Sequence, residues 1–147
     1  MGARVTTAAE LEERLLASPF HRWLGLRVVS VSPQELRLAA TWREEWDNGT
    51  PERVTHGGIL ATLLDLAADW ALVASLGSPA PTIDFTTHFL RAATPGDLEV
   101  VARPVKLGRS LTVAEAEVLD GAGKQVAVGR GTYATFAPST TAGGGGS

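Results

Sequence analysis

Thr55-His56-Gly57-Gly58-Ile59-Leu60-Ala61-Thr62-Leu63-Leu64-Asp65 is the stretch on which the reading of this chain turns. A polar, glycine-rich entrance opens an apolar run, and a carboxylate stands eight positions after Gly57. The run continues through residues 66–76 to Gly77, a helix stop, which predicts one helix of about five turns over 57–76. It is hydrophobic nearly all round, so it is expected to be buried at the centre of the fold. Asp65 and Asp69 argue against a membrane span, because a carboxylate at mid-membrane costs roughly 2.5 to 3.5 kcal/mol.

The surrounding composition fits one globular domain with a real core: 147 residues, 44% hydrophobic and 20% charged. Net charge is -3, and no run of Lys and Arg offers a footprint for nucleic acid or an anionic membrane. Zero cysteines exclude a disulfide framework and thiolate metal sites. The amino terminus lacks the basic-then-apolar pattern of a leader, so a cytoplasmic location is expected. The glycine-rich residues 138–147 cannot bury anything and read as a flexible tail.

Residues 1–18 read as a helical segment, with Thr7 as cap, an amphipathic stretch to residue 17, and Ser18-Pro19 as the stop. It is expected to pack on the rim. Residues 26–31 and 35–42 form a hairpin about Ser32-Pro33-Gln34. A polar loop over 43–55 leads into the central helix. Four further strands follow at 82–91, 98–107, 111–119 and 125–136, broken by Pro95-Gly96-Asp97, Gly108-Arg109-Ser110 and Asp120-Gly121-Ala122-Gly123. Short turns between consecutive strands predict an antiparallel meander. An apolar helix between a hairpin and a meander predicts an α+β fold in which the curved antiparallel sheet wraps the helix.

In that order of elements the chain resembles the hotdog fold, and within it the acyl-CoA thioesterase branch related to the phenylacetate-degradation thioesterases, in the 4-hydroxybenzoyl-CoA thioesterase superfamily. Pro19-Phe20 with residues 24–31, His56-Gly57-Gly58 with Asp65, Thr82-Ile83-Asp84-Phe85 and Gly129-Arg130-Gly131-Thr132 carry the resemblance. It covers a domain at 19–137. It implies hydrolysis of a small-molecule acyl-CoA, aryl or medium-chain, with coenzyme A as part of the substrate and no other cofactor.

Thioester hydrolysis requires a polarised carbonyl, a base or nucleophile, and a controlled water. A helix N-terminus supplies unpaired N–H groups, and glycine lets a carbonyl approach them. Gly57 N–H is therefore the candidate oxyanion donor, assisted by His56, with Gly58 beside the substrate. The resemblance implies that Asp65 acts as general base or nucleophile and that Thr82 helps hold the attacking water. It also implies a loop asparagine on the thioester. Asn48 is the candidate, but it lies eight residues before His56 where six is usual, and Thr50 holds the sixth position. Arg109 and Ser110, in a strand connection near the pantetheine and nucleotide in related proteins, are candidate coenzyme A contacts; Arg91 and Lys106 are further options.

Spacing then sets the assembly. Eight helical residues separate Gly57 from Asp65 by roughly 12 Å along the axis, too far for both to contact one carbonyl. Two helices antiparallel about a two-fold axis can oppose Asp65 of one chain to Gly57 of the other, which predicts a homodimer, and the resemblance adds dimers paired into homotetramers.

The plainer readings are a cap for His56, a locally satisfied buried acid for Asp65, and a structural partner or the working acid for Asp69. Trp70 reads as core or as the border of an acyl pocket. His21 and His88 lack partners at metal-ligand spacing, so no metal site is expected. No Gly-x-Ser-x-Gly elbow occurs. A dehydratase or hydratase acting on an acyl thioester, and a non-catalytic acyl-CoA-binding module, are the rival functions.

Overall fold

Thr7 caps the first helix, α1 (Ala8–Leu15), through a reciprocal box in which its hydroxyl accepts from Glu10 N–H and the Glu10 carboxylate accepts from Thr7 N–H. The structure, a computed structural model, describes residues 6–135; the tail expected at 138–147 and the final residue of the last predicted strand, Phe136, lie outside them. Ser18-Pro19 does more than stop α1. Proline has no N–H to lose at the first position of a helix, and a second short helix, α2 (Pro19–Trp23), starts there.

Among the described residues, six strands form one antiparallel sheet: β1 (Leu26–Val31), β2 (Leu36–Ala40), β3 (Thr82–Phe89), β4 (Leu98–Leu107), β5 (Leu111–Leu119) and β6 (Gln125–Ala134). Their order is β1-β2-β4-β5-β6-β3. The meander expected of the last four strands is corrected in one respect. Only β4, β5 and β6 run as neighbours, while β3 lies at the far edge against β6. The helix causes this: α3 (Gly57–Trp70) lies across β4, β5 and β6, so the chain leaving it reaches the far edge first and must return to pair β4 with β2.

The helical stretch expected over 57–76 is present with one interruption. After Trp70 the last turn tightens, with Leu72 N–H donating to Asp69 C=O, and a separate turn, α4 (Val73–Leu76), ends at Gly77 with φ 83°. The loop before α3 contains a 3₁₀ turn at Glu44–Trp46. The stretch Gly57–Leu76 is long and apolar enough to cross a bilayer, but the sheet covers it, and Leu60, Leu63, Leu64, Ala67 and Ala68 are core residues. Each buried leucine contributes about 1.5–3 kcal/mol.

The two sheet edges differ. On β1, the Glu12 carboxylate of α1 accepts the Val28 N–H at 2.9 Å, and a register shift follows between Val28 and Ser30. Leu11 and Leu15 of α1 are fully buried, so the N-terminal segment packs into the core beside that edge. On β3 no such cover exists among the described residues, and Ile83 and Phe89 are 53% and 56% exposed. An uncovered apolar edge strand is a template for another strand.

Candidate active site

His56 is the N-cap of α3: its Nδ1 accepts the Gly58 N–H at 2.8 Å. An accepting Nδ1 places the proton of the neutral ring on Nε2, which is left as a donor. The residue is anchored from behind, because its own N–H donates to Trp46 C=O at 2.6 Å and the preceding Thr55 N–H donates to Ala93 C=O at 2.8 Å. An added Cβ on Gly58 would lie 2.9 Å from His56 Nδ1, so a larger residue there would displace the capping ring. Gly58 N–H is therefore turned back onto the histidine. Gly57 N–H, at the first helical position, has no partner among the described residues. The Phe89 ring stands beside it, 3.4 Å from where a Cβ on Gly57 would be.

Two turns further along α3, Asp65 is half-buried and doubly bonded. Its Oδ1 accepts from Thr82 Oγ1 at 2.9 Å and from the Tyr133 hydroxyl at 3.1 Å. Thr82 and Tyr133 are direct cross-strand partners on β3 and β6. Tyr133 was not singled out by sequence reasoning, although the strand pattern contained it: Gly129, Gly131 and Tyr133 alternate onto the helix-facing side. Added Cβ atoms on Gly129 and Gly131 would lie 2.4 and 2.5 Å from the Phe85 ring, and the one on Gly131 also 2.9 Å from the Tyr133 hydroxyl. The glycines thus make room for the phenylalanine and the phenol. Burial, then the charge and hydrogen bond of Asp65, push the Tyr133 phenol far above its ordinary range, so it stays a protonated donor.

Asp69 follows one turn later and accepts the Ala80 N–H at 2.7 Å. Burial raises its carboxyl to about 6, the Ala80 bond opposes this, and the charge of Asp65 adds to it. Asp65 and Asp69 line a cavity of about 430 Å³ between α2 and α3, with Phe20, His21, Leu66 and Trp70. His21 Nδ1 donates to Leu15 C=O at 2.7 Å, and its ring meets Trp70 edge-on.

Asn48 and Thr50 belong to one turn. Asn48 Oδ1 accepts from Thr50 N–H at 3.1 Å and from its hydroxyl at 2.9 Å. The loop is braced by Arg53, which pairs with Asp47 and Glu44. Arg109 and Ser110 are exposed in the β4–β5 turn. Thr135 N–H donates to Ser110 C=O, and Ala134 N–H to Pro81 C=O, which puts that turn at the Thr82 end of the sheet. Arg91 and Lys106 are exposed. His88 lies on the outer face, in a concavity of about 740 Å³ with Asp84, Arg103, Glu115 and Arg130. Among the described residues no three His, Cys, Asp or Glu side chains form a metal-holding group.

The structure thus joins Asp65 to Thr82 and leaves Gly57 and His56 at the other end of α3. The two ends are linked through β3. This strand starts at Thr82 beside Asp65 and ends at Phe89 beside Gly57, so it runs opposite to the helix.

An antiparallel sheet curled on a central helix that a histidine caps at its glycine pair is the hotdog fold. Residues 53–127 match the thioesterase superfamily. A Halobacterium salinarum protein named as an esterase is 38% identical over 125 residues, covering 78% of this chain and 82% of that protein. Acyl-coenzyme A thioesterase 13 of Mus musculus is 30% identical over 110 residues, 71% of this chain and 76% of that one. A solved thioesterase-superfamily structure superposes with a TM-score of 0.85 at 40% identity, over 88% of this chain and 98% of that chain. The chain belongs to the thioesterase superfamily and is a thioester hydrolase.

Proposed function

We propose that the protein hydrolyses acyl-CoA esters to free acid and coenzyme A at a site built by two copies of the chain. The observation that carries this reading is the course of β3. If two copies pair their open β3 edges antiparallel about a two-fold axis, the Thr82–Asp65 end of each meets the Phe89–Gly57 end of the other. The exposed Ile83 and Phe89 are covered in the same event.

In that crevice the thioester oxygen accepts from Gly57 N–H, and the His56 Nε2–H donates at the same entrance. Asp65 of the facing chain either removes a proton from a water that adds to the carbonyl, or attacks the carbonyl itself to form a mixed anhydride that water then opens, returning the carboxylate; the bond to sulfur breaks in both cases. The proton taken from water ends on the coenzyme A thiol. Thr82 holds Asp65 and the water, and the Asn48–Thr50 turn and Gly58 flank the thioester. Arg109 and Ser110 meet the coenzyme A moiety.

The acyl group occupies the cavity of about 430 Å³ between α2 and α3, whose Phe20 and Trp70 suit an aryl or medium-chain group and favour the phenylacetate-degradation branch. Besides the acyl-CoA itself, the reaction consumes only water. The working unit is a hotdog domain at 19–137, as a dimer or a dimer of dimers in the cytoplasm. Thiol release from aryl- and fatty-acyl-CoA panels tests the reading: wild type is expected to turn over at least one, and Asp65→Asn to lose about 10²-fold or more. Full activity in that variant would refute the assignment.

A further inference from the structure

We propose that Tyr133 is a positioning residue which, with Thr82, fixes Oδ1 of Asp65 and leaves Oδ2 as the oxygen that reacts. The proposal rests on the reading of Asp65 as the working acid.

A carboxylate presents two oxygens of equal basicity unless its surroundings divide them. Here both side-chain donors fall on one of them: Thr82 Oγ1 at 2.9 Å and the Tyr133 hydroxyl at 3.1 Å both reach Oδ1. Oδ2 has no donor among the described residues. Two donors from neighbouring strands also fix the plane of the carboxylate, since rotation about its terminal bond breaks both contacts together. The phenol lies 3.2 Å from the Asp65 main-chain oxygen as well, so it is seated against the helix backbone at the residue it orients. Tyr133 is fully buried and remains protonated, for the reasons of burial and charge given above.

The division matters for either chemical route. Hydrogen bonds draw charge onto Oδ1 and lower its affinity for a proton or a carbonyl carbon, so the unbonded oxygen is the stronger base and nucleophile. The other titratable groups lining the cavity at Asp65 are Asp69 of α3 and His21 of α2. A change at Tyr133 leaves both in place.

Tyr133→Phe keeps the ring and deletes only the donor. Its kcat is expected to fall roughly ten- to a hundred-fold, the rate equivalent of one hydrogen bond to a charged group, with KM unchanged. The antisymmetric and symmetric stretches of the Asp65 carboxylate, read by isotope-edited infrared difference spectroscopy in wild type and in Tyr133→Phe, report how unequal its two oxygens are, and their separation is expected to narrow when one of the two donors on Oδ1 is deleted. This readout does not depend on thiol release, which separates this proposal from the hydrolase reading. A separation identical to wild type overturns the proposal, as does a loss of kcat that only tracks the folded fraction. Absence of thiol release from wild type with the narrowed separation intact would refute the hydrolase reading instead.

Discussion

Thr82 and Tyr133 face each other across β3 and β6, and both hydroxyls donate to the same oxygen of Asp65. The pair ties the helix that carries the acid to the two strands at the open edge of the sheet. Any movement of that edge, including the docking of a second copy, is therefore felt at the carboxylate.

The oxyanion role of Gly57 can be tested without disturbing the fold. Proline suits the first helical position, and His56 before it already has φ -55° and ψ 133°, the extended geometry a following proline requires. Gly57→Pro is expected to leave the thermal midpoint within a few degrees of wild type while kcat falls roughly 10² to 10³-fold. A fully active proline variant would remove Gly57 from the mechanism.

Gly131→Ala is expected to destabilise by about 1–3 kcal/mol, since its Cβ would lie 2.5 Å from the Phe85 ring and 2.9 Å from the Tyr133 hydroxyl. Because the displaced phenol also releases Asp65, turnover per folded molecule should drop. Urea denaturation with parallel assays checks both effects, and a stability equal to wild type would contradict the packing described.

Asp69 links stability to pH. Its carboxyl is raised to about 6 in the fold from 3.8, so the folded state holds the proton more tightly than the unfolded chain. This contribution is present below about pH 4 and is lost as pH climbs through about 6. Asp69→Asn lacks it while retaining an oxygen for Ala80 N–H. The melting temperature of wild type is therefore expected to fall relative to the variant between pH 4 and pH 7. A constant difference between the two across that range would contradict the buried setting of Asp69.

Much of this was legible in the sequence because local chemistry wrote it. The His56-Gly57-Gly58 entrance, the capping threonine Thr7 and the strand alternation all act over a few residues. The eight-residue spacing by itself separates Asp65 from Gly57 along the helix. What was not legible depended on packing between distant segments. The place of β3 beside β6 follows from the helix lying across the sheet, and a strand pattern is the same whichever neighbour it has. Tyr133 lies 68 residues from Asp65, so its role emerges only when β6 lies under α3. The second helix at Pro19 was hidden by proline itself, which ends one helix and begins another with equal ease.

The central claim is that acid and amide donor come from different copies of the chain, and mixing two disabled variants tests it most directly. Asp65→Asn and Gly57→Pro chains, each inactive alone, are co-expressed in equal amounts under conditions that allow random pairing. A site that takes Asp65 from one chain and Gly57 from its mate is intact in about one case in four, so thiol release near a quarter of wild type is predicted. A mixture as inactive as its parents would show that each chain must supply both groups itself, and would contradict the shared site.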